Sequence, residues 1–335
     1  MEKSYGGTQV KFGWQTTQEN EWAQYYGYPS YGVGVYSGFL GDPEIFGNPN
    51  AVYGFVNFPL SSDHKKNILS VEPALGLTYN LEPYDADNNP LNEAIGAKAA
   101  VYASVKLGYN YKINREIDFE YGLDFTHFSN GRLYTPNYGL NMVGIHLGLK
   151  YNYSPDQKKL NPDLYKTNNV LPARYLRPHS TPKIKSDDSN SINAYVGGST
   201  VQTYENQGAD IRYAALSGII EYQHKINMAS GYTVGLDYFF DGSLAEEFPD
   251  RLEKRHHLGI HAGYDFMFYK FTLGVHIGTY LNNNPTKPAY FFRPALRYDI
   301  GKRFYGQIGL KTRGFAADWI EFGVGFRPFR WWGDE

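Results

Sequence analysis

From residue 30 onward the chain alternates apolar and polar positions with period two, in segments at roughly 30–39, 51–60, 67–79, 98–112, 116–128 and 139–154. The pattern resumes at about 191–203, 211–224, 231–240, 255–267, 270–281, 288–300, 303–313 and 316–328. Such alternation predicts strands with one apolar and one polar face. It is sharp at Val101, Ala103, Val105, Leu107, Tyr109 and Tyr111, which face away from Tyr102, Ser104, Lys106, Gly108, Asn110 and Lys112. The last segment sets Ile320, Phe322, Val324 and Phe326 opposite Glu321, Gly323, Gly325 and Arg327. The expected fold is all-β, a transmembrane antiparallel β-barrel of about 14 strands, with 12 to 16 as bounds, whose apolar face meets lipid and whose polar face lines the interior.

Turn lengths predict an orientation. Asn114-Arg115, Tyr269-Lys270 and Gly301-Lys302 mark tight connections, whereas 80–97, 241–254 and 282–287 are long. Short turns are usually periplasmic and long loops extracellular, which would put the turn from Asn130 to Tyr138 outside. Residues 1–29 hold one further strand, Thr8 to Trp14, outside the count of 14. Residues 30–329 are expected to form the barrel, with a long polar connecting segment at 155–190 and a tail at 330–335. The hairpin Gly122-Leu123-Asp124-Phe125-Thr126-His127 is echoed by Gly235-Leu236-Asp237-Tyr238-Phe239-Phe240, and Val143-Gly144-Ile145-His146 by Leu258-Gly259-Ile260-His261. In this echo His127 aligns with Phe240 and Ser129 with Gly242.

Composition sharpens the picture. Aromatic residues make up 17% of the 335, with 31 Tyr and 36 Gly, while hydrophobic residues are an ordinary 42%, a profile that suits membrane barrels with aromatic girdles. No stretch approaches 18 consecutive apolar residues, which excludes a membrane-spanning helix. A net charge of -2 gives no sign of a nucleic-acid partner. The absence of cysteine removes disulfides, thiolate metal sites and a cysteine nucleophile. Met1-Glu2-Lys3-Ser4 lacks an apolar signal core, so an exported protein is expected here in its mature form.

The candidate chemistry lies where one apolar stripe turns polar. Phe119, Tyr121, Leu123 and Phe125 lead in phase to His127 and Ser129, and Asn141 begins the stripe Val143, Ile145, Leu147 and Leu149 on the next strand. An ester hydrolase needs a nucleophile, a base, a group that orients the base, and oxyanion donors. Ser129, His127 and Asn141 supply the first three. The main chain at Asn130 and Gly131 and the side chain of Asn137 are candidates for the fourth. The competing reading is an aromatic-belt site, where His and Ser sit wetted at a strand end.

The extended pattern His127-x-Ser129-Asn130-Gly131 followed by Pro136-Asn137-x-Gly139 resembles the signature of the PagL-type outer-membrane lipid A deacylases. The longer chain is similar to the acyloxyacyl hydrolase homologues of Bacteroidetes. The motif-level resemblance spans about 117–154, and that family's barrel is about half this length. It implies a serine esterase with Ser129 as nucleophile and His127 as base, acting without a cofactor on an ester-linked acyl chain of lipid A or a related membrane lipid. The family commonly has Glu at the orienting position, where this chain has Asn141. The alternative is a non-catalytic outer-membrane barrel: a pore, a hydrophobe transporter, or a subunit with an envelope protein partner. A phospholipase would share the chemistry and differ in the head group.

Other polar residues carry blander expectations. His146 and His261 fall on the interior face as hydrogen-bonding residues, and His256-His257 read as a solvated mouth. Asp85, Asp87 and Glu93 read as a solvated loop. The interior charges Lys106, Glu120, Asp124, Asp237, Glu321 and Arg327 are expected to pair across the lumen. No metal site is expected.

Overall fold

The computed structural model describes residues 4–16, 21–61, 65–114, 116–153, 189–281, 287–314 and 316–332. Among these residues there are 15 strands, all in antiparallel neighbour pairs where the register is defined. The connecting segment expected at 155–190 lies almost wholly outside the described residues, as does the tip of the 282–287 loop. No described helix is long and apolar enough to cross a membrane.

The strands fall into two compact units. In the first, β1 (Gly6–Gln15), β2 (Ser30–Phe39), β3 (Gly47–Pro59), β4 (Asn67–Leu81), β5 (Ala100–Lys112), β6 (Ile117–Ser129) and β7 (Leu140–Tyr151) form one sheet in chain order. The sheet curls. Lys11 on β1 reaches Glu72 on β4 at 2.9 Å and Glu120 on β6 at 3.3 Å, and the Tyr5 hydroxyl just before β1 donates to the Val143 carbonyl of β7. Its concave face buries Tyr36, Tyr53, Tyr102 and Phe128 together with Glu72, Ser104 and Thr126. Its convex face exposes Val33, Val35, Leu75, Leu77, Leu123, Phe125, Val143, Ile145 and Leu147. Apolar outside and polar inside is the inverse of a water-soluble sheet, and it is what a lipid solvent requires.

The second unit is a closed barrel of eight strands. β8 (Ser189–Val201), β9 (Tyr213–Asn227), β10 (Ser230–Asp241), β11 (His256–Phe268), β12 (Phe271–Tyr280), β13 (Tyr290–Ile300), β14 (Phe304–Arg313) and β15 (Ala316–Trp332) pair in sequence, and β15 returns to β8. Closure removes both sheet edges. Eight strands leave an interior that side chains fill, and here Arg293, Arg297, Lys311, Trp319 and Tyr305 are all fully buried in it. Val196, Leu216, Ile220, Val234, Leu236, Val275, Ile277 and Val324 point outward.

Three expectations are corrected. The count is 15 rather than 14, because the strand at Thr8 to Trp14 is β1, paired with β2 along its whole length. The strands also divide between a seven-stranded sheet and a ring of eight, since β8 closes on β15. Alternation reports which face a residue takes but not which distant strand closes a ring. The tail expected from 330 is likewise strand as far as Trp332. The tight turns fall as expected between β5 and β6, β11 and β12, and β13 and β14. Tyr269 and Gly301 take positive φ of 56° and 75° there.

Candidate functional site

The antiparallel register of β6 and β7 sets His127 directly opposite Asn141. Side chains of directly opposed residues leave the same face and touch. His127 Nδ1 lies 2.7 Å from Asn141 Oδ1. An amide oxygen can only accept, so this bond places a proton on Nδ1, and Nε2 is the ring nitrogen that the bond leaves unengaged. The next outward pairs along the hairpin are Phe125 with Val143 and Leu123 with Ile145, all exposed and apolar.

Two features fix the imidazole. Gly139 has φ +74°, and a Cβ there would lie 2.9 Å from His127 Cε1. Glycine is therefore required twice, once by the backbone and once by the ring beside it. On the opposite face of β6, Phe128 is fully buried with its ring centroid 5.7 Å from Tyr102 and 6.0 Å from Tyr36. This aromatic cluster holds the strand end that carries His127.

The turn Ser129–Tyr138 belongs by its contacts to the second unit. Asn137 Nδ2 donates to Ser129 Oγ at 2.9 Å, and the Gly131 N–H donates to the same oxygen at 3.3 Å. The Asn130 N–H instead donates to Asn137 Oδ1 at 3.0 Å. Of the three expected oxyanion donors, Gly131 and Asn137 thus aim at the serine oxygen. Asn130 aims Asn137.

The turn is built from consecutive left-handed residues, Gly131 at φ 62° and Arg132 at φ 67°, and is tied down by side chains that sequence reasoning did not single out. Arg132 Nη2 donates to Ser243 Oγ at 3.0 Å, and Nη1 lies 3.4 Å from the fully buried Asp318. The Thr135 N–H and hydroxyl both donate to Gln202 Oε1, at 2.6 and 3.1 Å, and the Gln202 N–H donates to the Arg132 carbonyl at 3.1 Å. Arg132 follows the serine motif immediately, so its position was available in sequence. The partners of its guanidinium, Ser243 and Asp318, lie more than 100 residues away and were not.

The remaining candidates resolve individually. His146 is half-buried beside Gly122. His261 is buried and hydrogen-bonded to Asp237 at 2.8 Å. The expectation of a solvated mouth at His256-His257 fails for His257, which is 1% exposed and packs against Tyr280. His256 is partly exposed, with the Tyr238 hydroxyl 2.7 Å from its Nδ1. Asp85 closes its own turn by accepting from the N–H groups of Asp87 and Asn88. Interior charges do pair within each unit, as in Lys106 with Glu72 at 3.7 Å and Arg293 with Asp237 at 2.7 Å.

An apolar exterior around a polar, side-chain-filled interior makes this a membrane-spanning β-barrel protein. Two family models match it: lipid A 3-O-deacylase (PagL) over residues 8–150 and the acyloxyacyl hydrolase C-terminal domain over residues 190–331. The chain belongs to the PagL lipid A deacylase family, a family of outer-membrane hydrolases. Comparison with curated proteins finds no match. Similar solved structures include a triple mutant of the porin of Rhodopseudomonas blastica, 10% identical over 96% of this chain and 90% of that one, with a TM-score of 0.19. Another is the siderophore receptor PirA from Pseudomonas aeruginosa, 7% identical over 98% of this chain and 62% of that one, also with a TM-score of 0.19.

Proposed function

We propose that the protein is an outer-membrane serine esterase that removes an ester-linked acyl chain from lipid A. The observation that carries this reading is the 2.7 Å bond from His127 Nδ1 to Asn141 Oδ1 on the outward, apolar side of the hairpin. It leaves a basic nitrogen two residues along the same strand face from a serine hydroxyl. Residues i and i+2 on one face are roughly 6 to 7 Å apart at Cα, a span that an imidazole and a hydroxymethyl group close.

In the first step Ser129 Oγ attacks the acyl carbonyl as His127 Nε2 takes its proton. The Gly131 N–H and Asn137 Nδ2, both already directed at Ser129 Oγ, then hold the developing oxyanion. Collapse expels the sugar alkoxide, which takes the proton back from His127. Water, deprotonated by the same nitrogen, attacks the acyl carbon, and Ser129 Oγ leaves with the proton returned by His127 as the fatty acid is released. Asn141 holds the tautomer throughout. The apolar stripe explains the placement: acyl chains arriving laterally in the membrane lie along Phe125 and Val143, and the ester meets the polar strand end.

The test is lipid mass spectrometry on outer membranes carrying wild type, Ser129→Ala or His127→Ala at matched folded abundance. Loss of one acyl chain from lipid A with wild type alone supports the reading. Identical lipid spectra from all three would sink it and return the non-catalytic alternative. The pore form of that alternative is disfavoured by the second unit, whose interior Arg293, Arg297, Lys311 and Trp319 fill.

A further inference from the structure

Inside the eight-stranded barrel, Glu221 of β9, His261 of β11 and His276 of β12 each bring one potential ligand atom within 4.8 Å of the others. All three side chains are buried. The two imidazoles stack with centroids 4.9 Å apart and planes 10° from parallel. Each ring is held at one nitrogen by a carboxylate: His261 Nδ1 by Asp237 at 2.8 Å, and His276 Nε2 by Asp265 at 3.4 Å. The other two nitrogens, His261 Nε2 and His276 Nδ1, have no hydrogen-bond partner. His261 Nε2 lies 3.4 Å from Glu221 Oε2.

A histidine with one nitrogen on a carboxylate and the other bare beside a third donor is arranged as a metal ligand with its outer shell in place. The competing reading is an ion-pair network that merely fills the barrel. The two bare nitrogens separate the readings: an ion-pair network leaves His261 Nε2 and His276 Nδ1 without a hydrogen-bond partner in a buried interior, a cost that a bound cation removes.

The backbone is also cut to seat these rings. A Cβ at Gly235 would lie 2.6 Å from His261 Cε1, and one at Gly263 would lie 2.1 Å from His276 Cδ2. Arg297 holds both Glu221 oxygens, Oε1 at 2.6 Å and Oε2 at 3.0 Å, and Asn193 Nδ2 donates to Oε1 at 3.0 Å, which fixes the carboxylate with Oε2 on the His261 side.

We propose that Glu221, His261 and His276 form a site for a divalent first-row transition cation, of the zinc or cobalt kind that two imidazoles and a carboxylate suit. The ion braces β9, β11 and β12 from within. The site does not depend on the esterase reading, since none of its residues belongs to the serine turn or its anchors.

The experiment uses the full chain refolded in detergent, stripped with chelator and titrated with Co2+ and then Zn2+. The expected result is about one equivalent of Co2+ bound with a visible ligand-field spectrum that Zn2+ abolishes. Affinity should fall about 100-fold or more in His261→Gln and His276→Gln, since outer-shell partners alone are worth about 10- to 100-fold. His146→Ala should leave it unchanged. Folding of each variant is checked by heat-modifiable electrophoretic mobility. No saturable Co2+ binding by folded wild type, or undiminished binding by folded His276→Gln, overturns the proposal. Should both glutamine variants fail to fold, X-ray absorption on zinc-loaded wild type decides. A shell with two imidazoles supports the site, and one of oxygen donors alone overturns it.

Discussion

Asn141 is the residue whose replacement most directly tests the esterase reading, because this chain has an amide where the family commonly has a carboxylate. The amide selects the tautomer of His127 through the 2.7 Å bond, but it cannot neutralise the imidazolium that forms as Ser129 attacks. In Asn141→Asp a full charge replaces that dipole at the same distance, with charge centres about 4 Å apart. Coulomb's law gives about 1 kcal/mol there in bulk water and about 4 kcal/mol at an effective dielectric of 20. Asn141 is exposed on the outer face, so screening brings the usable part to about 1–2 kcal/mol. This attraction exists only once the imidazole is charged, so it lowers the barrier and not the substrate's binding energy. A rise of about 5- to 30-fold in kcat follows, with KM unchanged. A carboxylate at the outer wall near a strand end costs stability only about 0–1 kcal/mol.

Asn141→Ala runs the other way. Losing one hydrogen bond of about 1–1.5 kcal/mol frees the ring and its tautomer, for a fall in kcat of about 5- to 10-fold. The assay is fatty acid released from lipid A in mixed micelles by refolded protein, followed by mass spectrometry across substrate concentrations. The predicted order is Asp above Asn above Ala, with Ser129→Ala silent in every background. Folded variants that all turn over at the wild-type rate would refute the role of Asn141. An aspartate variant slower than wild type would refute the electrostatic argument itself.

Three further outcomes are expected. Gly139→Ala forces a Cβ onto the His127 ring and an L-residue into φ +74°, a backbone cost of about 1–2 kcal/mol. Its kcat should fall at least about 10-fold while the protein still folds, as read by the same assay beside electrophoretic mobility. Arg132→Ala releases the serine turn from Ser243 and Asp318, yet Asp318 keeps Lys287 at 2.9 Å and Lys311. Labelling of Ser129 by a fluorophosphonate should therefore slow about 10-fold, with little change in the unfolding midpoint. Phe128→Ala opens the aromatic cluster behind His127, and a buried aromatic truncation of this kind costs about 3–5 kcal/mol. Urea unfolding of the protein in lipid should register a loss of that order.

The faces of the strands were legible in the sequence because period two is a local property. Phe125 and Val143 point outward and Tyr102 inward, as their phase requires. The shared face of His127 and Asn141 was also legible, since each lies in phase with the outward apolar stripe of its own strand. What was not legible depends on long-range pairing. Nothing local says that β15 returns to β8, that Arg132 ends beside Asp318, or that His276 stacks on His261. His146 and His261 could be placed on interior faces from alternation alone, but the partner that gives His261 its chemistry sits on β12. His257 shows the limit from the other side, for its charged neighbours suggested solvent whereas its strand phase buries it against Tyr280.

The hairpin echo shows how the two units divide their roles. Gly122 opposes His146 as Gly235 opposes His261, Asp124 opposes Gly144 as Asp237 opposes Gly259, and His127 opposes Asn141 as Phe240 opposes His256. The two hairpins thus share a register residue for residue, with the glycine, the aspartate and the inward histidine kept in both. They part at the strand end, where the first continues into Ser129 and the second into Gly242. The glycine, aspartate and histidine occupy matching interior-facing positions in both hairpins. The hydroxyl and the amide that orients the imidazole are surface additions to one copy. In the second unit the matching aspartate accepts from a histidine whose far nitrogen is bare, so one hairpin plan underlies both the proposed outward-facing ester site and the proposed inward-facing metal site.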